Sequence, residues 1–222
     1  MKNKDLISFS SEHYNYYFQP NSLAERDIVS IANGQERCFL DIVSFLEVIP
    51  DYKFEYYLLD SPEAVGKLYG DNQPCNGFAK YPNEIYAVYN KEVKCIGYHE
   101  DAHLVSNLIN RPHSTFIVEG LAMYFDRSWW GKPNGEWVDN FLKNKKYISI
   151  FQLLHNRDFF DHPCEITYPI AGAFTEYLIE LSKSKYLSLY RYTGKNITAE
   201  IERIYDKKIS DLEADFIAQI SN

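Results

Sequence analysis

The chain has 222 residues, 45% of them apolar and 24% charged, which is enough to bury a full core and ordinary for a soluble globular protein. Its net charge of −8 is spread along the sequence and not gathered in a tail, which argues against a nucleic-acid or anionic-membrane partner. Aromatic residues make up 16%, including 19 tyrosines; a tyrosine-rich core is the default use of so many amphipathic rings, and a ring-lined cleft is the other.

In chain order, alternation and aromatic content predict strands over residues 6–10 and 14–18. Asn21-Ser22-Leu23 opens an amphipathic helix to about Glu47, with Ile28, Ile31, Ala32, Cys38, Phe39, Ile42, Phe45 and Leu46 at helical spacing. A strand over 52–59 follows, then a short helix started by Ser61-Pro62-Glu63, with Pro at its first position. Residues 77–80 and 84–89 read as two strands joined by a turn at Tyr81-Pro82-Asn83. A helix begins near His99, and after Pro112 a second runs through residues 114–125 with Ser114 as its N-cap. Residues 129–137, rich in Trp, Gly, Pro and Asn, form a break from helix. From about Asp139 the chain is mainly helical, interrupted near 161–163 and 192–195. No repeat or flexible linker divides it, so the expectation is an α+β fold of one domain, residues 1–222, with an N-terminal α/β lobe over about 1–110 and a helical C-terminal lobe over about 111–222.

Residues 1–10 lack the apolar stretch of about 7–15 residues that a signal peptide needs, and no run approaches the roughly 18 apolar residues of a membrane span, so a cytoplasmic location is expected. Cys38, Cys75, Cys95 and Cys164 are widely spaced with no Cys-x-x-Cys pair, which predicts buried thiols instead of a disulfide framework. Cys95, one turn before His99, is read as packing.

The chemistry concentrates in His99-Glu100-Asp101-Ala102-His103 and a later Glu119. Residues four apart on a helix share a face, so His99 and His103 can aim imidazole nitrogens at one ion, while Glu100, rotated by about 100°, can stand beside a metal without ligating it. Glu119, in an apolar helix with Gly120 and Ala122, is the candidate third ligand; those two small residues would let the helices of His99 and Glu119 approach closely. Three protein ligands leave a tetrahedral zinc one open position, the arrangement of a catalytic site.

At these residues the sequence resembles the gluzincin metallopeptidases, within them the peptidase MA-like domains, which carry His-Glu-x-x-His on one helix and Glu-Gly-x-Ala-x-Tyr/Phe on the next. Residues 168–180, a Tyr before a small-residue-Phe-x-x-Tyr-Leu run, look like the family's later helix, and residues 209–216 are similar to its C-terminal Leu-Glu-x-x-Trp/Phe helix. The resemblance covers essentially the whole chain, although only the metal motifs are specific. Phe116-Ile117 stands where the family often has Trp-Leu, and Met123 where some members have an Asp that orients a zinc histidine; Asp126 is a weak substitute, a solvated helix end being the commoner role.

The resemblance implies a zincin-like fold, an N-terminal mixed sheet with helices followed by a mainly helical lobe, with the active site in the cleft between them. It implies one Zn2+ per chain, hydrolysis of peptide bonds by a zinc-bound water activated by Glu100, and a peptide or protein substrate. Gluzincins often stabilise the oxyanion with a Tyr or His from a later helix; Tyr168 is the candidate and His162 the alternative. If Ile85, Tyr86, Ala87, Val88 and Tyr89 form the edge of the sheet, their free N–H and C=O groups can pair with an extended substrate, the binding device of the family; a place inside the sheet is the competing reading. Two functions stay open: a zinc metallopeptidase, and a non-proteolytic MA-like module that binds zinc and serves in binding or regulation. Glu100 favours the enzyme, since holding metal does not require it.

Overall fold

The computed structural model describes residues 6–70 and 72–221. The fold is α+β, with 55% helix and 14% strand. The chain divides into two compact units, Met1–Leu108 and Ile109–Asn222. No helix among the described residues is long and apolar enough to cross a membrane; residues 1–5 of the stretch read for a leader lie outside the described residues.

The first unit is built on five strands: β1 (Ile7–Ser10), β2 (Tyr14–Phe18), β3 (Phe54–Leu59), β4 (Gly77–Lys80) and β5 (Glu84–Val88), in the order β1-β2-β3-β5-β4. β2, β3 and β5 run parallel, while β1 and β4 are antiparallel edges. The period of two sends Tyr14, Tyr16, Phe18, Phe54, Tyr56, Leu58, Ile85 and Ala87 into the core. On the opposite face Tyr17, Tyr57, Tyr86 and Phe78 occupy paired positions across four strands, with successive ring centroids 4.9, 4.7 and 4.8 Å apart. Such cross-strand aromatic pairs reinforce the strand order at about 0.2–1 kcal/mol each. Much of the tyrosine content is therefore structural.

Helix α1 (Leu23–Leu46) links β2 to β3; Ser22 caps it by accepting from the Glu25 amide, and Glu47 ends it in the left-handed region. Its buried stripe is apolar except for Gln35, which is 1% exposed. α2 (Pro62–Tyr69) starts on Ser61, whose hydroxyl accepts from the Ala64 amide. α3 (His99–Ser106) closes the unit.

The second unit contains α4 (Thr115–Asp126), a two-stranded ribbon β6 (Ser128–Trp129) and β7 (Lys132–Pro133), then α5 (Asn134–Lys143), α6 (Ile150–Leu153), α7 (Asn156–Asp161), α8 (Cys164–Leu181), α9 (Lys183–Tyr190), α10 (Ile197–Tyr205) and α11 (Ile209–Ile220). α8 is central, with Ile170, Ala171, Phe174 and Leu178 fully buried. A Cβ at Gly120 of α4 would collide with Thr175 Oγ1 and stand 3.0 Å from the Ala171 carbonyl oxygen, so glycine permits α4 to lie close on α8. The close approach expected of Gly120 is thus made with α8.

Two further expectations change. The break from helix covers residues 129–133, which form the ribbon and its turn, but helix resumes at Asn134, so Trp137 is a helical residue; its Nε1 donates to the Trp129 carbonyl at 2.9 Å. None of the four cysteines is buried: Cys38, Cys75 and Cys95 are half-buried and Cys164 is exposed, with no disulfide among them.

Candidate metal centre

α3 begins at His99, and Glu100 and Asp101 occupy its first turn, where the positive end of the helix dipole favours carboxylates. The imidazoles of His99 and His103 lie one turn apart with ring centroids separated by 4.9 Å at 87°. The opposite face holds Asp101, Ala102, Leu104 and Val105, all buried. Hydrophobic burial of that face therefore decides which way the histidines point.

Asp101 is fully buried. Tyr14 Oη donates to its Oδ2, and Gln35 Nε2 donates to the same oxygen at 2.9 Å. Burial pushes the Asp101 carboxyl well above the ordinary range, opposed by those two hydrogen bonds and reinforced by the neighbouring Glu100. Tyr14 is raised in turn, by burial and by Asp101.

Glu100 faces the first residue of β4. A Cβ built on Gly77 would lie 3.3 Å from Glu100 Oε1 and 2.9 Å from Cys95 Sγ. Glycine at that position leaves the room in which both side chains sit, and Cys95 packs beside the carboxylate expected to act as a base.

Glu119 sits in α4, whose start is held from outside the helix. Ser114 occupies the N-cap position but makes no capping bond; its hydroxyl donates to the Leu154 carbonyl at 3.3 Å. Asn156 does the capping, accepting from the Thr115 amide at 2.8 Å and donating to the His113 carbonyl at 2.6 Å. Oε2 of Glu119 is shielded from solvent.

One ligand atom from each of His99, His103 and Glu119 lies within 4.8 Å of the others, and this is the one such group found among the described residues. Two imidazoles and one carboxylate are a donor set that fits a divalent metal ion.

The remaining predicted site residues fare differently. β5 is an internal strand, paired with β3 on one side and β4 on the other, so its backbone is already hydrogen-bonded. Ile85, Ala87, Val88 and Tyr89 are buried, and Tyr86 belongs to the aromatic row. The edge beside α3 is β4; parallel pairing of β3 with β5 displaces the first strand of the hairpin outward. Tyr168 lies inside α8, its ring 5.4 Å from that of Trp129 and 6.0 Å from that of Phe159. His162 follows α7, with Nε2 3.2 Å from Gln152 Nε2. Asp126 is the last residue of α4.

Sequence reasoning missed Gln35, Tyr14, Asp101 and Gly77. The available signals were a polar residue in the apolar stripe of α1 and a carboxylate on the helix face away from the two histidines. No protein-family model matches the chain, and no curated protein matches it.

Proposed function

We propose that the chain is a zinc-dependent metallopeptidase of the gluzincin type with a zincin-like fold. The observation that carries this reading is the grouping of one ligand atom each from His99, His103 and Glu119 within 4.8 Å. Those three residues hold the ion. When bound, zinc supplies Lewis acidity that polarises a carbonyl and lets water deprotonate near neutral pH.

The chain's own residues perform the proton work. Glu100, next to a ligand histidine but directed at β4, accepts a proton from the attacking water and delivers it to the leaving amine. The substrate is a peptide or protein segment that extends the sheet along β4. Each backbone hydrogen bond so formed contributes about 0.5–1.5 kcal/mol net, with little demand on side-chain identity. Because Gly77 begins β4 and adjoins Glu100, a peptide paired there brings its backbone toward the base. Tyr168 is assigned the oxyanion donor role, with His162 as the alternative.

The test combines zinc content with cleavage of a broad peptide library. Wild type is expected to hold about one zinc per chain and to cleave, and Glu100→Gln to retain zinc and lose cleavage, because the amide keeps the shape and cannot accept a proton. Equal cleavage by both proteins removes Glu100 as the base. Zinc binding by both without any cleavage makes the chain a metal-holding module instead of a peptidase.

A further inference from the structure

Gln35 is 1% exposed in the middle of the otherwise apolar buried stripe of α1. Leaving an amide unsatisfied there would cost about 1–3 kcal/mol, yet every polar atom of this side chain is engaged. Nε2 donates to the Gly97 carbonyl at 2.9 Å and to Asp101 Oδ2 at 2.9 Å, while Oε1 accepts from the Gly97 amide at 2.8 Å. One side chain thus holds the N–H and C=O of the residue that leads into α3 and the Asp101 carboxylate buried under that helix. Tyr14 Oη closes on the same Asp101 oxygen from β2.

α3 needs such a fastening. It is only 8 residues long, and its N-cap residue, Tyr98, makes no capping bond through its side chain. A helix this short has little order of its own in water, so its orientation comes from tertiary contacts. Gly97, which leads into it, has φ +131°, and a glycine there leaves the unfolded chain more backbone freedom to lose than any other residue. With side-chain atoms at about 5–6 Å from the axis, a rotation of roughly 20° moves an imidazole nitrogen by on the order of 2 Å. Metal–ligand distances tolerate only about 0.2 Å.

We propose that Gln35 is a positioning residue for the metal centre: by clamping Gly97 and Asp101 it sets the rotation of α3 and thereby the aim of His99 and His103. This rests on the metal reading of the site. The competing role is a core hydrogen bond that stabilises the fold and is indifferent to metal.

Zinc affinity, measured by competition with a fluorescent chelator, and the visible absorption of the cobalt(II)-loaded protein separate the two roles. Gln35→Met keeps side-chain volume and removes the clamp; it is expected to weaken zinc binding roughly 10–100-fold and to alter the cobalt spectrum. Leu46→Ala, at the far end of α1, is the control that loses core stability without touching α3, and it should bind zinc like wild type. Gln35→Leu, which also lacks the clamp and suits the apolar stripe of α1, keeps the test open if Gln35→Met fails to fold. Wild-type affinity and an unchanged cobalt spectrum in Gln35→Met, or in Gln35→Leu where the former does not fold, overturn the proposal alone. Failure of wild type to bind zinc overturns it together with the metal reading.

Discussion

Gly77→Ala perturbs the candidate base through a single methyl group. The new Cβ would sit 2.9 Å from Cys95 Sγ, 3.3 Å from Glu100 Oε1 and 3.4 Å from the Tyr86 carbonyl oxygen. Backbone strain is not the issue, since Gly77 is not among the glycines at positive φ. The first contact is too short for any carbon–sulfur pair and requires movement, and the second asks the carboxylate to yield by a few tenths of an ångström. Overpacking of this kind costs about 1–3 kcal/mol, offset by about 0.5–1 kcal/mol from removing a glycine from a strand. A net loss of about 1 kcal/mol lowers Tm by roughly 2–4 °C for a chain of this size. The larger effect falls on chemistry: since a 1 Å misplacement at a reacting centre can cost about 10²-fold, a displacement of a few tenths predicts kcat/KM lower by about 10-fold, with zinc content unchanged. Thermal unfolding, metal analysis and hydrolysis of a cleavable library peptide read the three quantities separately. Adding Cys95→Ala should restore stability by removing the shorter contact, while activity stays depressed because the Glu100 contact remains. Wild-type kcat/KM in Gly77→Ala would refute the placement of Glu100 as the base beside β4.

The remaining predictions concern the ligands and the oxyanion. His99→Ala/His103→Ala should reduce retained zinc to background in metal analysis after dialysis, because one carboxylate alone is a poor zinc ligand set; full occupancy would sink the assignment. Tyr168→Phe should lower kcat roughly 10²–10³-fold with KM and zinc content little changed, as for loss of an oxyanion donor. Near-normal turnover with a lower Tm would leave Tyr168 as a packing ring beside Trp129 and Phe159 and shift the role to His162, tested by His162→Ala.

Much of the local structure was legible because its determinants are close in sequence. The pairing of His99 with His103 follows from helical periodicity alone, and α1 and α2 start where a serine precedes the periodic run, each with its hydroxyl accepting an amide in the first turn. The strands of the first unit fall where alternation places them, although periodicity says nothing about which strand is flanked on both sides. β4 and β5 are both short and both alternate. Their order is decided by the parallel pairing of β5 with β3, a contact between separate segments that moves the free edge from β5 to β4.

The same limit explains the supports of the candidate site. Gln35 and Asp101 are 66 residues apart, and nothing near either one announces the other. Ser114 has the right residue type for an N-cap, yet Asn156, 41 residues beyond Thr115, supplies the bond. Gly120 was expected to make room beside the histidine helix; packing gives that space to Thr175 and Ala171 of α8. Ligand types and their spacing along a helix are local properties of the chain, set by backbone geometry over four residues. Which edge is free, what turns α3 and what caps α4 depend on burial between distant segments, where an unsatisfied polar group is costly enough to select its partner from anywhere in the fold.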